Sequence, residues 1–456
     1  MTQMQREHLT VRREKAVLVS CLLPTGGPRG PSALATTDPH DPLSELRSLA
    51  DTAGALVVDE LLQKKQKPDP ATFIGKGKVG ELAQMMDLHG ADVAIFDNDL
   101  SPSQIGNIEQ RIEAKVIDRS ELILDIFAAR ARTHEARLQV ELAQLEYTYP
   151  RLRAMWSHLE RIVGGAPTGI GTRGPGEQQL ETDRRIVQRK KAQLRREIAQ
   201  IQSRKTREVQ ARNRDYFTVG LVGYTNAGKS TLFNTLTKAS GGGGAYADDK
   251  LFATLSTRTR RWNLGGGDTV MVSDTVGFVR NLPHHLVASF RATLEEAIHA
   301  DLLLLVLDVA DPRARHQLDT VRTVLNDIGA GATPHVLTLN KIDCLDNNAD
   351  LLVFLREFPD ALQISARTGL GMLPLIEFVR TASRGQTQQL SITVDVADGK
   401  AIHFLENRSA VIDRVYEDNR VTFTVRIGDR QLDRFLAMGT TAQLPDDSTN
   451  AQGWHA

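Results

Sequence analysis

Two periodicities of apolar residues alternate along the first quarter of the chain. Short apolar runs bounded by turn-forming residues predict β-strands at 16–23, 55–62, 92–97 and 115–118. Apolar residues spaced three and four apart predict amphipathic helices between the strands, at 44–54, 79–90 and 103–113. Because strands that alternate with helices form parallel sheets with helical crossovers, we expect an α/β domain over residues 1–127.

A long helical hairpin is predicted over residues 128–214. Apolar residues spaced alternately four and three apart form a heptad stripe, with Leu138, Leu142, Leu145, Tyr149, Leu152, Trp156, Leu159 and Val163. A second stripe repeats every seven residues, at Leu180, Val187, Leu194 and Ile201. The glycine-rich stretch 164–177 separates the two stripes, so the helices would fold back antiparallel. Pro150 falls within the first stripe and should bend or break that helix.

The pattern of alternating strands and helices returns after the hairpin. Residues 215–385 predict a second α/β domain, and residues 386–456 predict a small α+β domain with a polar tail. In the small domain, strands are expected at 391–396 and 420–427 and helices at 399–407 and 430–437. The predicted fold class is therefore α/β, with the helical hairpin as an insertion between two α/β domains.

Composition and charge narrow the class of protein. The chain has 456 residues, of which 56 are basic and 56 acidic. This balance argues against a protein that binds nucleic acid through a uniformly basic surface. Its longest apolar run, 302–307, is far shorter than the ~20 residues of a membrane-spanning helix. The run at 16–23 is more typical of a strand than of a signal peptide. Cys21 and Cys344 are too few for a disulfide framework, so a cytoplasmic protein is expected.

Charge is distributed unevenly within this neutral chain. Residues 151–214 contain sixteen Lys and Arg but only six acids, an excess of ten positive charges. Such a hairpin can bind the phosphate backbone of RNA, although a charged helix is also commonly just a solvated face. The glycine-rich tip, 164–176 with Arg173, would thread among RNA phosphates or serve only as a connector.

A phosphate-binding loop is the strongest chemical signal in the sequence. The apolar strand 217–222 runs into the pattern G-x-x-x-x-G-K-S, and a helical pattern follows. In this context backbone N–H groups cradle phosphate oxygens, the Lys229 amine neutralises the β- and γ-phosphates, and the Ser230 hydroxyl binds Mg²⁺. The candidate nucleotide-binding residues here are Gly223, Tyr224, Thr225, Asn226, Ala227, Gly228, Lys229, Ser230 and Thr231.

Two segments after the loop are candidates for sensing the γ-phosphate. The stretch Asp274, Thr275, Val276 and Gly277 ends a strand, where the carboxylate can hold the water shell of Mg²⁺ and the Gly277 N–H can meet the γ-phosphate. The loop 239–259 lacks clear periodicity and would close on the phosphate only in the triphosphate state. Its threonines 254, 257 and 259 compete for that role, and spacing alone does not choose among them.

A third segment reads the base. The strand from Val336 ends in Asn340, Lys341, Ile342 and Asp343, the pattern N-K-x-D. The Asp343 carboxylate can accept hydrogen bonds from the ring N–H and the exocyclic amine of guanine, neither of which adenine offers. A further short strand ends in Ser365, Ala366 and Arg367, whose backbone can contact the base. These residues predict GTP and GDP as ligands rather than ATP.

These segments together resemble the G-motifs of translation-factor-like P-loop GTPases, and in particular the HflX family of ribosome-associated GTPases. The resemblance includes the stretch Leu251–Leu255, which reads LFATL. It extends to three stretches before the second α/β domain, DNDLSPSQIGNIE at 97–109, HEARLQVELAQLEY at 134–147 and GTRGPGEQQLETDRR at 171–185. A P-loop GTPase fold for residues 215–385 is what this resemblance implies.

The resemblance also implies roles for individual residues. It makes Thr254 the switch threonine and a ligand of Mg²⁺ with Ser230. It assigns nucleotide contacts to the neighbours of that threonine, Phe252, Ala253 and Leu255. Lys229, Thr254 and Gly277 would then carry catalysis. The family usually has Asp-Pro-Thr after LFATL, whereas this chain has Ser256 and Thr257 directly after Leu255.

Partners follow from the same resemblance. It implies binding to the large (50S) ribosomal subunit, with the hairpin directed at ribosomal RNA. The implied role is in splitting or rescuing stalled ribosomes, or in ribosome biogenesis. The protein would be a monomer in the cytoplasm that associates peripherally with ribosomes or with membrane.

Hydrolysis requires a water molecule to attack the γ-phosphorus. Phe278 stands where Ras-type switches have a water-orienting glutamine, so turnover of the protein alone should be slow and a partner should stimulate it. Asn226 is a candidate for binding K⁺ near the phosphates, as in potassium-activated GTPases that also lack the glutamine. The alternative is that Asn226 only shapes the loop.

Two other functions remain compatible with the sequence. The first is a signalling GTPase that uses the hairpin as a docking surface for a protein partner. The second is an ATP-driven RNA remodeller that uses the N-terminal domain, where the stretch 75–78 (Gly-Lys-Gly-Lys) opens a helix and could bind an anion. That stretch is also what an ordinary glycine-rich turn would look like.

Overall fold

Three β-sheets organise the chain in a computed structural model. The structure describes residues 13–24, 41–163, 175–238, 257–265, 268–279, 298–345, 347, 349–385 and 387–438. Within these ranges the sheets contain four, six and three strands. Among the helices of these ranges, none combines the length and the apolar character needed to cross a bilayer.

The first sheet is entirely parallel, as the sequence predicted. Its strands are β1 (Lys15–Leu22), β2 (Leu56–Lys64), β3 (Val93–Phe96) and β4 (Lys115–Asp118). Its helices are α1 (Ser44–Ala53), α2 (Lys76–His89), α3 (Pro102–Ile112) and α4 (Arg119–Arg130). One buried cluster lies on each face of the sheet. This domain therefore has the layered α/β architecture expected from alternating strands and helices.

Two long helices follow, and their apolar stripes face each other. They are α5 (His134–Val163) and α6 (Pro175–Asp215), and at 41 residues α6 spans roughly 60 Å. Leu138 and Leu142 of α5 pack against Leu194 and Ile198 of α6, as expected for an antiparallel hairpin. Pro150 was expected to bend or break this helix; it does not break it, because α5 continues through that residue. The apolar seam with α6 outweighs the loss of one backbone hydrogen bond.

The second sheet has six strands. They are β5 (Thr218–Gly223), β6 (Arg258–Gly265), β7 (Asp268–Asp274), β8 (Leu302–Asp308), β9 (His335–Asn340) and β10 (Leu362–Gln363). The helices are α7 (Lys229–Thr237), α8 (Ala314–Asp327), α9 (Ala349–Glu357) and α10 (Met372–Arg384). Buried clusters cover both faces, with α8 and α9 on one and α7 and α10 on the other. The strand order in this sheet is β10-β9-β8-β5-β7-β6, and among these described strands only the edge strand β6 is antiparallel to its neighbour.

The C-terminal sheet is antiparallel. It contains β11 (Thr387–Asp395), β12 (Ala410–Glu417) and β13 (Arg420–Gly428), covered on one face by α11 (Gly399–Arg408) and α12 (Asp429–Ala437). The sequence did not predict β12. This strand lies at the edge of the sheet, and its pairing shifts register between Val411 and Asp413. The bulge disrupts the alternation of apolar and polar residues by which a strand is recognised.

Candidate functional site

The parallel strands of the second sheet bring polar residues to one edge. β5 ends at Gly223, β7 at Asp274, β8 at Asp308 and β9 at Asn340, and all four strands run in the same direction. In open α/β sheets the crevice beyond the carboxyl ends of the strands is where ligands bind. The residues singled out from the sequence on these strands therefore converge on one crevice.

The loop from Gly223 to Ser230 connects β5 to α7 and opens this crevice. Gly228 is the residue before α7 and has a φ of +91°, in the left-handed region. A Cβ atom at this position would overlap the side-chain amide of Asn340. Only glycine allows the loop to approach β9 so closely, and the first N–H groups of α7 remain directed into the crevice.

Lys229 is buried within the loop. Its Nζ donates hydrogen bonds to the backbone oxygens of Gly223 at 3.1 Å and Tyr224 at 2.7 Å. Burial lowers the pKa of Lys229 to about 8, although the carboxylate of Asp274 acts in the opposite direction. The amine is thus a cation whose charged form is weakly supported by the protein and which an anionic ligand would stabilise.

Ser230 and Asp274 form a pair of oxygen-bearing side chains beside the lysine. The Ser230 hydroxyl donates to Oδ2 of Asp274 at 2.8 Å, and Asp274 is fully buried. Hydroxyl and carboxylate oxygens are ligands that Mg²⁺ accepts, usually together with water and phosphate oxygens. No group of three or more His, Cys, Asp and Glu suited to a metal occurs in the described residues. The pair therefore fits a Mg²⁺ ion that arrives with a phosphate ligand.

Gly277 lies directly against the loop. The Thr225 N–H donates to the oxygen of Phe278 at 2.8 Å, and the Phe278 N–H donates to the oxygen of Gly223 at 3.1 Å. A Cβ atom at Gly277 would lie 2.7 Å from Cγ2 of Thr225 and 3.0 Å from Nζ of Lys229. A side chain at 277 has no room, and the backbone of this segment reaches the end of the loop where the lysine amine lies.

Asn340 ties the loop to the other end of the crevice. Its side-chain amide donates to the oxygen of Ala227 at 2.8 Å and accepts from the N–H of Ala366 at 2.9 Å. The oxygen of Ala366 in turn accepts from the hydroxyl of Thr235 in α7 at 2.8 Å. One buried side chain thus fixes the spacing between the loop, the end of β9 and the segment Ser365–Arg367.

The surroundings of Asp343 favour the charged, carboxylate form of its side chain. A hydrogen bond from the Ser365 side chain lowers the pKa of Asp343, and the charge of Arg367 acts in the same direction. The Arg367 guanidinium lies 3.2 Å from Oδ2 of Asp343. Lys341 adopts a left-handed backbone with φ +64°, and its amine pairs with Asp308 at 2.6 Å. Asp308 was not among the residues singled out from the sequence, although its position directly after the apolar run 302–307 was a usable signal.

The N-terminal domain contacts the loop, which the sequence did not predict. The Tyr224 hydroxyl donates to Oε1 of Glu45 at 2.6 Å, and Arg119 forms an ion pair with Glu45 at 2.9 Å. Burial opposes the charge of Arg119, but the carboxylates of Glu45 and Asp97 outweigh it and raise the pKa of the guanidinium. No local pattern near Glu45 or Arg119 signals a contact with a residue so distant in sequence.

Part of the predicted site lies outside the described residues, namely Phe252, Ala253, Thr254 and Leu255. The two alternatives to Thr254 as the γ-phosphate-sensing threonine, Thr257 and Thr259, make other contacts. Thr257 accepts a hydrogen bond from the amine of Lys205 in α6 at 3.3 Å. Thr259 belongs to β6 and is paired with Ser273 of β7.

A parallel sheet with a G-x-x-x-x-G-K-S loop and an N-K-x-D segment at one edge defines a P-loop GTPase. Three family models match successive parts of the chain. The family described as "GTP-binding GTPase N-terminal" matches residues 40–128, "GTP-binding GTPase Middle Region" matches 130–214, and "50S ribosome-binding GTPase" matches 218–341.

Relatives define the family further. The chain is 42% identical to the GTPase HflX of Escherichia coli (strain K12) over 388 residues, which is 84% of this chain and 89% of that protein. It is 38% identical to the GTPase HflX of Caldanaerobacter subterraneus subsp. tengcongensis over 427 residues, 92% of each chain. The chain belongs to the HflX family of GTPases, as the sequence motifs had indicated, and it is a GTP hydrolase.

Solved structures of similar proteins include GTP-binding proteins with bound GDP. A GTP-binding protein from the archaeon Sulfolobus solfataricus in complex with GDP aligns with 81% of this chain and 98% of its own, at 23% identity and a TM-score of 0.42. The crystal structure of a complex of SsGBP and GDP aligns over the same shares of the two chains, at a TM-score of 0.45.

Proposed function

We propose that the crevice binds GTP with its phosphates on the loop from Gly223 to Ser230 and its base at Asp343, and that hydrolysis there controls association with the large ribosomal subunit. The observation that carries this proposal is the convergence of one cation, one hydroxyl–carboxylate pair and one base-reading carboxylate on a single sheet edge. These are Lys229, Ser230 with Asp274, and Asp343. Thr254 would complete the site as the switch threonine.

Each residue has a distinct part in this reaction. Lys229 leaves the backbone oxygens of its own loop and neutralises the β- and γ-phosphates, while the N–H of Gly277 donates to the γ-phosphate. Ser230 and Thr254 would hold Mg²⁺, with Asp274 accepting from the Ser230 hydroxyl or from metal-bound water. The metal, when bound, would stabilise the negative charge on the phosphate oxygens. Water then displaces GDP from the γ-phosphorus.

A potassium ion is part of the proposal. Asn226 is an exposed residue of the loop with φ +61°, in the left-handed region, so its side chain is accessible to an ion from solvent. A monovalent cation held there would add positive charge beside the phosphates.

Hydrolysis should therefore be about tenfold faster in K⁺ than in Na⁺ at equal ionic strength. Asn226→Ala should lower the rate in K⁺ to the rate in Na⁺ and leave the rate in Na⁺ unchanged. The measurement is phosphate release under single-turnover conditions with each salt. Equal rates of the unmodified protein in both salts would remove the ion from the account.

The hairpin is proposed as the surface that meets ribosomal RNA. Several of its basic side chains are paired with acids of the hairpin itself, such as Lys190 with Glu141 at 3.1 Å and Arg195 with Glu146 at 2.6 Å. Arg184 and Arg185 are exposed, closer to the tip. Arg173 and the rest of the stretch 164–174 lie outside the described residues. The basic excess of residues 151–214, sixteen Lys and Arg against six acids, would attract an RNA phosphate backbone.

Replacing Arg184 and Arg185 by alanine should weaken binding to 50S subunits roughly tenfold or more at physiological salt. The slope of log affinity against log salt should fall by about two, one per phosphate contact. The control is the double variant Glu141→Ala with Lys190→Ala, which removes an ion pair without changing net charge. Co-sedimentation over a salt series measures both, and equal slopes for all three proteins would assign the hairpin another role.

The domain boundaries, the oligomeric state, the cellular location and the role on the ribosome are also proposals. We propose domains at 1–127, 128–214, 215–385 and 386–456, a monomer, and a cytoplasmic location with peripheral association with ribosomes or membrane. The role on the ribosome would be in splitting, rescue or biogenesis. A signalling GTPase with a protein partner would instead bind that partner through the hairpin and ignore 50S subunits. An ATP-driven remodeller would keep its activity toward ATP in variants of Asp343.

A further inference from the structure

The water-orienting group of this GTPase does not come from the residue after Gly277. Phe278 is buried, with its ring in the core that also contains Leu303 and Leu305 of β8. Its backbone is fixed by hydrogen bonds to Gly223 and Thr225. A side chain packed in this way cannot reach the γ-phosphate or hold water, so the reaction needs another polar group there.

Thr225 lies where such a group is required. Its Cγ2 and Cα are the two atoms nearest to a Cβ built on Gly277, at 2.7 and 2.8 Å, and the third is Nζ of Lys229 at 3.0 Å. The Gly277 N–H and the Lys229 amine are the two groups assigned to the γ-phosphate. The side chain of Thr225 is therefore at the γ-phosphate end of the loop and not at the α-phosphate end.

The hydroxyl of Thr225 has no structural task in the described part of the chain. The residue is 6% exposed, and Oγ1 has no hydrogen-bond partner among the described residues. A buried hydroxyl without a partner destabilises a fold, and a valine of almost the same shape would avoid that cost. The amine of Lys229, at the same end of the loop, gives its hydrogen bonds to the backbone oxygens of Gly223 and Tyr224.

We propose that the Thr225 hydroxyl orients the attacking water, in place of the glutamine that Phe278 replaces. The hydroxyl and the methyl group share one carbon, so a χ1 rotation of about 120° brings the hydroxyl to the place of the methyl group, facing Gly277, and moves the methyl group to the place of the Cβ hydrogen. The water oxygen forms the new bond to the γ-phosphorus, the bond to the β–γ bridging oxygen breaks with its electron pair going to GDP, and the proton of the water goes to the released phosphate. Thr225 itself is unchanged.

This inference rests on the proposed placement of the phosphates, and two variants test it. Thr225→Val keeps the shape and the methyl contact but lacks the hydroxyl. Thr225→Ser keeps the hydroxyl but lacks the methyl group. In single-turnover hydrolysis, Thr225→Val should be at least tenfold slower than the unmodified protein, and Thr225→Ser should retain most of the rate. Both should bind GDP and a non-hydrolysable GTP analogue within about threefold of the unmodified protein.

Three results would overturn the inference. Thr225→Val could hydrolyse GTP at the unmodified rate, the two variants could slow equally, or the affinity of Thr225→Val for the analogue could fall as much as its hydrolysis. The second result would assign Thr225 to packing, and the third to binding of the ground-state phosphate. Loss of GDP binding by the unmodified protein would instead refute the placement of the phosphates, which this experiment detects separately.

Discussion

Replacement of Asp343 by asparagine should lower the affinity for GTP on the order of a hundredfold or more, and should create affinity for xanthosine triphosphate. The carboxylate accepts two hydrogen bonds from guanine, and bonds to a charged acceptor contribute about 1.5–3 kcal/mol each. The asparagine amide offers one acceptor and one donor. That combination matches xanthine, whose second ring position carries an oxygen in place of the amine.

The Asp343→Asn variant should keep the backbone conformation around residue 343, so a change in affinity reports on the base contact. The side chain lies on the short 3₁₀ turn Ile342–Cys344, and its contacts with Ser365 and Arg367 need no change in backbone conformation when an amide replaces the carboxylate. Asp360→Asn is the control, because it removes one exposed carboxylate from the same domain. Competition of unlabelled nucleotides against a fluorescent GDP analogue gives the affinities. Unchanged preference for GTP in Asp343→Asn would place the base elsewhere.

The fold was predictable where one periodicity dominates a segment. The four strands of the first sheet were found because each is a short apolar run between helical patterns, even though β2 is mostly only partly buried. The hairpin was found because Leu138, Leu142 and Leu194 follow a heptad spacing. β12 was missed because a bulge and an exposed edge position remove its alternation. The break expected at Pro150 does not occur, because the low helix propensity of one residue counts for little in a long helix that packs against α6.

Some features of the candidate site could be predicted from the sequence and others could not. The loop and the base-reading segment were recognisable because their chemistry depends on residue types at fixed spacing. The contact of Tyr224 with Glu45, and the packing of Val276 and Val279 into the core of the N-terminal domain, were not recognisable. The contact of Tyr224 with Glu45 joins residues 179 positions apart, and nothing in either local sequence encodes it.

Replacement of Lys229 by methionine should remove most of the affinity for GTP and GDP and abolish hydrolysis. Methionine fills the same buried space without a charge, so the fold should persist. Removing one partner of a buried, hydrogen-bonded charge pair costs about 2–5 kcal/mol or more, which corresponds to roughly a hundredfold or more in affinity. The loss should be larger for GTP than for GDP, since the amine would contact both the β- and γ-phosphates.

The affinity should also depend on pH through this lysine. Free Lys229 loses its proton as pH rises through its pKa of about 8, because burial disfavours the charged amine. Bound phosphate raises the pKa, so the complex keeps the proton at higher pH. The affinity should therefore be constant below pH 8 and fall by up to tenfold per pH unit above it, with uptake of one proton on binding.

Titration calorimetry of GDP at pH 7 and pH 9 tests the central claim most directly, since the claim is that the nucleotide phosphates lie on the loop beside Lys229. The account predicts one site per chain, weaker binding at pH 9 with proton uptake detectable from the ionisation heat of the buffer, and little binding by Lys229→Met. Absence of GDP binding by the unmodified protein, or a Lys229→Met variant with the same affinity and the same pH dependence, would contradict it.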